Sequence, residues 1–195
     1  MQTWLFAAVL IAAGLWAIAQ FNMLVRLRHE IRNAFAQIDV QLKRRHDLIP
    51  NLLEIAKGAL AHERQTLEAV TQARSEAMQA RERAHQAPGD AETMDRLMRA
   101  EDQLGSALGR FLAVAEAYPE LQANQNMLAL SEELTSTENR VGFARQAHND
   151  AVMSYNVKTQ QFPASLIATW FGFRPEKEMQ FTQSRAERQP VRVSF

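Results

Sequence analysis

An uncharged run near the N-terminus constrains this chain more than any other feature. From Trp4 to Ala19 the sequence WLFAAVLIAAGLWAIA contains no charged residue, and extension to Val25 adds only Gln20 and Asn22 as polar interruptions. Roughly 20 residues of helix cross about 30 Å of hydrocarbon, so residues 1–25 are predicted to form a transmembrane anchor. A helix packed on the surface of a soluble domain keeps a polar face. This run is apolar all round, with Trp4, Leu5, Phe6, Val9, Leu10, Ile11, Leu15, Trp16, Ile18 and Phe21 as its large side chains. Trp4, Trp16 and Phe21 lie toward its ends, where aromatic rings favour the membrane interface. Ala17-Ile18-Ala19 has the small residues of a cleavage site, but no basic residue precedes the apolar run as a secretory signal requires. A retained anchor is therefore expected.

Charge sets the expected orientation. Arg26, Arg28, Arg32, Lys43, Arg44 and Arg45 follow the run, against Glu30, Asp39 and Asp47. Basic flanks stay cytoplasmic, which predicts a short external N-terminus and a cytoplasmic remainder. Arg26, Arg28 and Arg32 are also placed to face anionic headgroups.

Beyond the anchor the residues favour helix nearly everywhere. Only 7 Gly and 6 Pro occur in 195 residues, too few for a turn-rich sheet protein. Apolar residues recur at steps of three and four through Ile31, Phe35, Ile38, Leu42, Ile49, Leu52, Ala56, Leu60, Leu67 and Val70, the seam of an amphipathic bundle helix. Pro50 interrupts it. Proline removes a helical hydrogen bond and crowds the preceding turn, so the helix either kinks there and continues or the chain reverses. The seam keeps its phase across Pro50, which favours a kinked, continuous helix. Residues 87–90 (APGD) form the clearest loop. A second helix is predicted over 91–117, with Gly105, Ser106 and Gly109 permitting close approach of a neighbour. Tyr118-Pro119 ends it, and a further helix runs to about residue 161 with Leu128, Leu134, Val141, Ala144, Ala151 and Tyr155 on its seam.

The expected fold is all-α: an antiparallel, up-and-down bundle of three to four long helices over 26–173. The transmembrane helix continues into the first of them, since neither Gly nor Pro stands between Asn22 and Pro50. Arg45 and Glu138 occupy seam positions. A charge on a buried stripe needs a partner, so both are expected to pair across helices, fixing register. The segment SLIATWFGF (165–173) supplies Leu166, Ile167, Trp170, Phe171 and Phe173 as an apolar patch that caps the bundle or meets a membrane or neighbouring subunit. The tail, 174–195, is expected to be partly extended. Its closing Val191, Val193 and Phe195 alternate as in a strand, to dock on a neighbour or stay loose.

The chemistry-bearing motifs are few. The sequence has no cysteine, which excludes thiolate catalysis and zinc–sulfur or iron–sulfur sites within it. It contains no phosphate-binding Gly-rich loop, G-x-S-x-G or H-E-x-x-H. Glu82 and His85 form one E-x-x-H, whereas a di-metal bundle needs two plus two further inward carboxylates. Twenty-two basic residues balance 22 acidic ones, and the basic ones cluster beside the anchor without interleaved aromatics, so no nucleic-acid partner is expected. No catalytic residue, metal or cofactor is expected.

Three stretches resemble the LemA family: AQIDVQLKRRHDLIPNLLEIAKGALAHERQTLEAVTQAR (36–74), AVAEAYPELQANQNMLALSEELTSTENRVGFARQAHNDAVMSYN (113–156) and FPASLIATWFGF (162–173). The ending, with Pro190, Val191, Val193 and Phe195, is similar too. The resemblance implies a bacterial protein with one N-terminal transmembrane helix, an external N-terminus and a helical bundle usually described as four-membered. It brings no established activity and no catalytic residues, and it implies a possible TPM-domain partner. The functional expectation is a single-pass scaffold at the bacterial inner membrane that self-associates, as a homo-oligomer, or recruits partners. The alternative is a regulatory or signalling subunit that senses a ligand or modulates a membrane enzyme. The alternative topology places the bundle in the periplasm.

Overall fold

The computed structural model describes residues 2–179, of which 84% are helical, with no strand among them. The calls on Val191, Val193 and Phe195 lie outside these residues. The first helix, α1 (Gln2–Ala56), is a single run of 55 residues. Its apolar side chains are exposed up to Ile18, and burial begins at Leu24. From there the buried stripe runs Leu24, Leu27, Ile31, Phe35, Ile38, Leu42, Arg45, Ile49, Leu52 and Ala56. The steps alternate between three and four except for consecutive fours at 27–31–35, a stutter that locally unwinds a coiled-coil seam.

Pro50 lies inside α1 on the exposed side. Without an N–H it leaves the carbonyl of His46, four residues earlier, short of its helical donor. Arg74 supplies the missing hydrogen: its Nε donates to the His46 carbonyl oxygen at 2.7 Å. A side chain from the next helix thus repairs the ladder, one of the ways a proline is accommodated inside a helix.

The helix passes Pro50 as the favoured outcome had it, but the chain then reverses well before the loop at residues 87–90. Residues 57–63 form the turn, with Leu60 N–H donating to the Ala56 carbonyl and Glu63 N–H to that of Leu60. The expected continuous seam through Leu60, Leu67 and Val70 is therefore split. Leu60 is a fully buried turn residue that closes the end of the core, and Val70 lies on a second helix, α2 (Arg64–Gln86). Val70, Ala77 and Ala84, spaced by seven, are the buried residues of α2.

Asp90 caps α3 (Ala91–Ala115) by accepting from the Thr93 N–H. Gly89 before it has φ +94°, a conformation glycine adopts freely. After Tyr118 the chain makes a four-residue helix, α4 (Pro119–Gln122), which interrupts the long helix expected there. Asn124 then caps α5 (Gln125–Gln160) by accepting from Asn126 and Met127 N–H. On α5 the buried residues Met127, Leu134, Val141, His148 and Tyr155 follow one another by seven. Leu128, one position off that row, is exposed, as the roughly 100° between helical neighbours requires. A short helix, α6 (Ala164–Trp170), follows the cis Phe162–Pro163 bond.

Packing joins α1 to α5 and α2 to α3. Beyond residue 48, Ile49, Leu52, Leu60, Val70, Leu104, Leu108, Phe111 and Leu134 form the apolar core farthest from the anchor. Phe35, Ile38, Leu42, Ala84, Leu97 and Val141 form the next layer. Leu27 and Ile31 meet Val152 and Tyr155 in a third. The last layer, Leu24 with Ile167 and Ala168, lies where α1 leaves the bundle. The end of α5 and all of α6 therefore return to the anchor side.

The chain then turns at Gly172 (φ +72°) and runs back along the bundle. Asn156 brackets Glu176, donating Nδ2–H to its carbonyl at 2.8 Å and accepting its N–H at 2.9 Å. Asn149 does the same for Met179, both at 2.9 Å. Seven helical residues rise about 10.5 Å and three extended residues about 10 Å, so the two asparagines match two backbone positions three residues apart. The described part of the tail is thus paired with a helix flank, and Met179 is buried in the layer of Phe35 and Val141.

Candidate functional site

Two places combine unusual chemistry with defined geometry: a charged group inside the bundle and an apolar face at the anchor end.

The charged group sits between the apolar layers. Arg45 on α1 is 4% exposed, and its guanidinium reaches two other helices. Nη1 donates to Glu101 Oε2 of α3, and Nη2 to Glu138 Oε1 of α5, each at 3.1 Å. His46 Nε2 lies 2.8 Å from Glu101 Oε1, so the Glu101 carboxylate is held at both oxygens. A carboxylate only accepts, which assigns the ring proton to Nε2. Gly105, one turn beyond Glu101, leaves room for the guanidinium: a Cβ there would stand 3.4 Å from Arg45 Nη2. A Cβ at Gly109 would meet nothing within 4 Å and Ser106 is exposed, so of Gly105, Ser106 and Gly109 only Gly105 stands in such an approach.

Arg145 on α5 stands beside this group. Burial holds its guanidinium below the usual arginine value, with the carboxylates of Glu101 and Asp102 pulling upward. The layer thus gathers Arg45, His46 and Arg145 around Glu101 and the half-open Glu138. Arg45 Nε and His46 Nδ1 are buried with no protein partner among the described residues. On the outer side Arg44 donates to Glu133 at 2.7 Å. His148, nearer the membrane, packs its ring 6.4 Å from that of Phe35, and burial pushes its pKa down.

Glu101 and His46 were not singled out by the sequence reading. For Glu101 the signal was present: Leu97, Glu101, Leu104, Leu108 and Phe111 step by four and three, so Glu101 holds a seam position as Arg45 and Glu138 do. Asn149 and Asn156 carried another, two amides exactly one heptad apart on one helix. Glu82 and His85 do not converge on a carboxylate set. His85 Nδ1 lies 3.6 Å from Asp39, and Arg81 bonds Asp39 at 3.3 Å, tying α2 to α1.

At the anchor end α6 divides into two faces. Ala164, Ile167 and Ala168 are buried, the last two against Leu24 and Phe21. Leu166 and Trp170 point away and are exposed, with Phe162 and Phe171 beside them. Phe171 and Phe173 meet Phe21 edge-on, with ring centroids 4.9 and 5.5 Å apart. Trp4, Leu5, Phe6, Val9, Leu10, Ile11, Leu15, Trp16 and Ile18 continue the exposed apolar surface along α1. Of the juxtamembrane arginines, Arg26 pairs with Glu30 at 3.6 Å and Arg28 approaches Glu176 at 3.9 Å; Arg32 is exposed.

The LemA family model matches residues 34–195. Among curated proteins, magnetosome proteins MamQ 1 and MamQ 2 of Paramagnetospirillum magneticum strain AMB-1 are each 23% identical over 172 residues, 80% of this chain. MamQ of Magnetospirillum gryphiswaldense strain MSR-1 is similar to the same extent. The chain spans 63% of the length of these relatives.

Proposed function

Because the chain belongs to the LemA family, we propose that it is a single-pass scaffold of the bacterial inner membrane that associates with copies of itself or with partners through its helical part, without catalysis. The observation that carries this reading is the unbroken α1. One helix runs from the apolar anchor into the core, with no linker between them. A tethered enzyme gains from a flexible stalk, whereas a scaffold gains from holding its faces at a set angle to the membrane. The MamQ relatives are named after the magnetosome and not after a reaction, which agrees with a structural role.

The charged layer supports the same reading. Arg45, His46, Glu101 and Glu138 bond to one another across three helices, and of these four Glu138 alone is exposed. An arrangement of this kind specifies which helix faces meet and at what register, the best-attested use of buried polar groups.

The test is the mass of the full chain in lipid nanodiscs of graded size, together with crosslinking in native membranes. A species larger than one chain, or a defined crosslinked partner, is expected. A monomer at high concentration that captures nothing would overturn the proposal. Orientation is tested separately, and the absence of native cysteines makes the background clean. Ser75→Cys on the exposed part of the bundle is expected to resist an impermeant maleimide in intact cells and react after permeabilisation. Labelling in intact cells would place the bundle outside.

A further inference from the structure

We propose that the chain touches the bilayer twice: through the α1 anchor, and through the outward face of α6, which lies in the headgroup–acyl boundary as an interfacial seat. The inference rests on α1 spanning the membrane.

The level of α6 comes from its contacts. Its buried face packs against Ala17, Phe21 and Leu24. Between Trp4 and Phe21 an α-helix rises about 26 Å. With Trp4 at one edge of a hydrocarbon layer about 30 Å thick, Phe21 and the α6 residues around it stand at the other edge. That is the depth at which aromatic side chains concentrate.

The exposed face has the composition for this depth. Leu166 and Trp170 stand one turn apart on α6 with Phe162 and Phe171 at its two ends, and Trp170 is 83% exposed. Apolar side chains this open, grouped on one face, mark a contact surface. Two observations select lipid over a second copy of the chain. The patch is continuous, through the Phe21–Phe171 contact, with the part of α1 whose own partner is hydrocarbon. Arg26, Arg28 and Arg174, all exposed, lie within a few residues of the contact between α1 and α6, on the side that an anionic headgroup layer would occupy.

A second contact has a mechanical effect that the anchor alone lacks. A lone spanning helix can rotate about its axis and tilt. An apolar seat to one side of that axis makes tilt away from that side lift Trp170, Leu166 and Phe171 into water, so the bundle leans on one fixed flank toward the adjacent leaflet.

The chain's three tryptophans, Trp4, Trp16 and Trp170, provide the test. Two proteins are made, each with one tryptophan kept and the others changed to phenylalanine: Trp4 alone, and Trp170 alone (W4F with W16F). Each full chain is reconstituted into phosphatidylcholine–phosphatidylglycerol vesicles brominated either near the headgroup end or near the methyl end of the acyl chains. Trp170 is expected to lose most of its emission to the shallow bromines, little to the deep ones, and to be protected from aqueous iodide. If Trp4 is quenched by lipid while Trp170 is not, the anchor stands and the seat is wrong. If neither is quenched, the anchor itself fails. If Trp170 is shielded from iodide only as protein density rises, with no lipid quenching, a second copy covers the face and the seat is again wrong.

Discussion

The two halves of α1 are equally helical but are built for different solvents. Up to Ile18 the apolar side chains point in every direction and none is buried. After Leu24 the buried ones follow one stripe, and that stripe contains Arg45, with His46 buried beside it. The first half tolerates no charge because lipid offers it no partner. The second half accommodates Arg45, because Glu101 and Glu138 arrive from α3 and α5. Apolar content alone does not separate these situations. What separates them is whether another helix supplies a counter-group at the same height.

The largest expected effect tests the second half. Glu101→Ala leaves Arg45 and His46 buried without their shared acceptor and should cost about 3–5 kcal/mol, read as a shift in the denaturation midpoint of the solubilised chain. Replacing Arg45, His46 and Glu101 together by Met, Leu and Leu should cost far less, or stabilise. If the triple variant is as damaged as Glu101→Ala, desolvation is not what makes the layer sensitive.

In the first half a charge has no such remedy. Leu10→Arg should disfavour membrane insertion by about 2.5–3.5 kcal/mol, measured as the membrane-bound fraction on fractionation, with the melting of the remaining helices unchanged. Next in size is the repaired ladder at Pro50. Arg74→Ala removes the donor to the His46 carbonyl and should cost about 1–3 kcal/mol. In a Pro50→Ala background, where the backbone N–H is restored, most of that cost should vanish. Additive effects of the two changes would refute the repair.

Glu138→Gln should be mild, about 0–1 kcal/mol, because the carboxylate is 59% exposed and screened by water. A smaller effect still is expected from pH. Burial lowers the pKa of His148 below 6.5, so the unfolded chain takes up the proton first. The stability held by neutral His148 is complete above about 6.5 and is lost as the pH falls from there through the folded value. His148→Gln should flatten the stability profile over that window. An unchanged slope would assign it to other groups.

The long uncharged run and the steps of three and four were plain in the sequence because both rest on near-neighbour patterns. A charge on a seam is equally visible, and the rule that flags Arg45 and Glu138 also flags Glu101. Pro50 was ambiguous for a physical reason. Local rules state what a proline removes, but the group that replaces it, Arg74, comes from the next helix. The turn at residues 57–63 was hidden because its central residue, Leu60, is apolar and in phase with the seam, so a core-closing turn imitates a continuing helix. The return of α6 to the anchor side required knowing the number of reversals, and that hinged on the same turn.

The asparagine pair on α5 has a consequence for how high above the lipid the chain can be grasped. From Phe173, at the level of Phe21, to Met179 the extended segment climbs about 20 Å. Asn156 and Asn149 act as two pegs that set its position to within one residue, since a shift by one would misalign both amides at once. A ligand or tether joined just after Met179 would therefore start from the bundle's side, clear of the headgroup layer. Changing both asparagines to alanine would lower that point of attachment toward the membrane without altering the anchor.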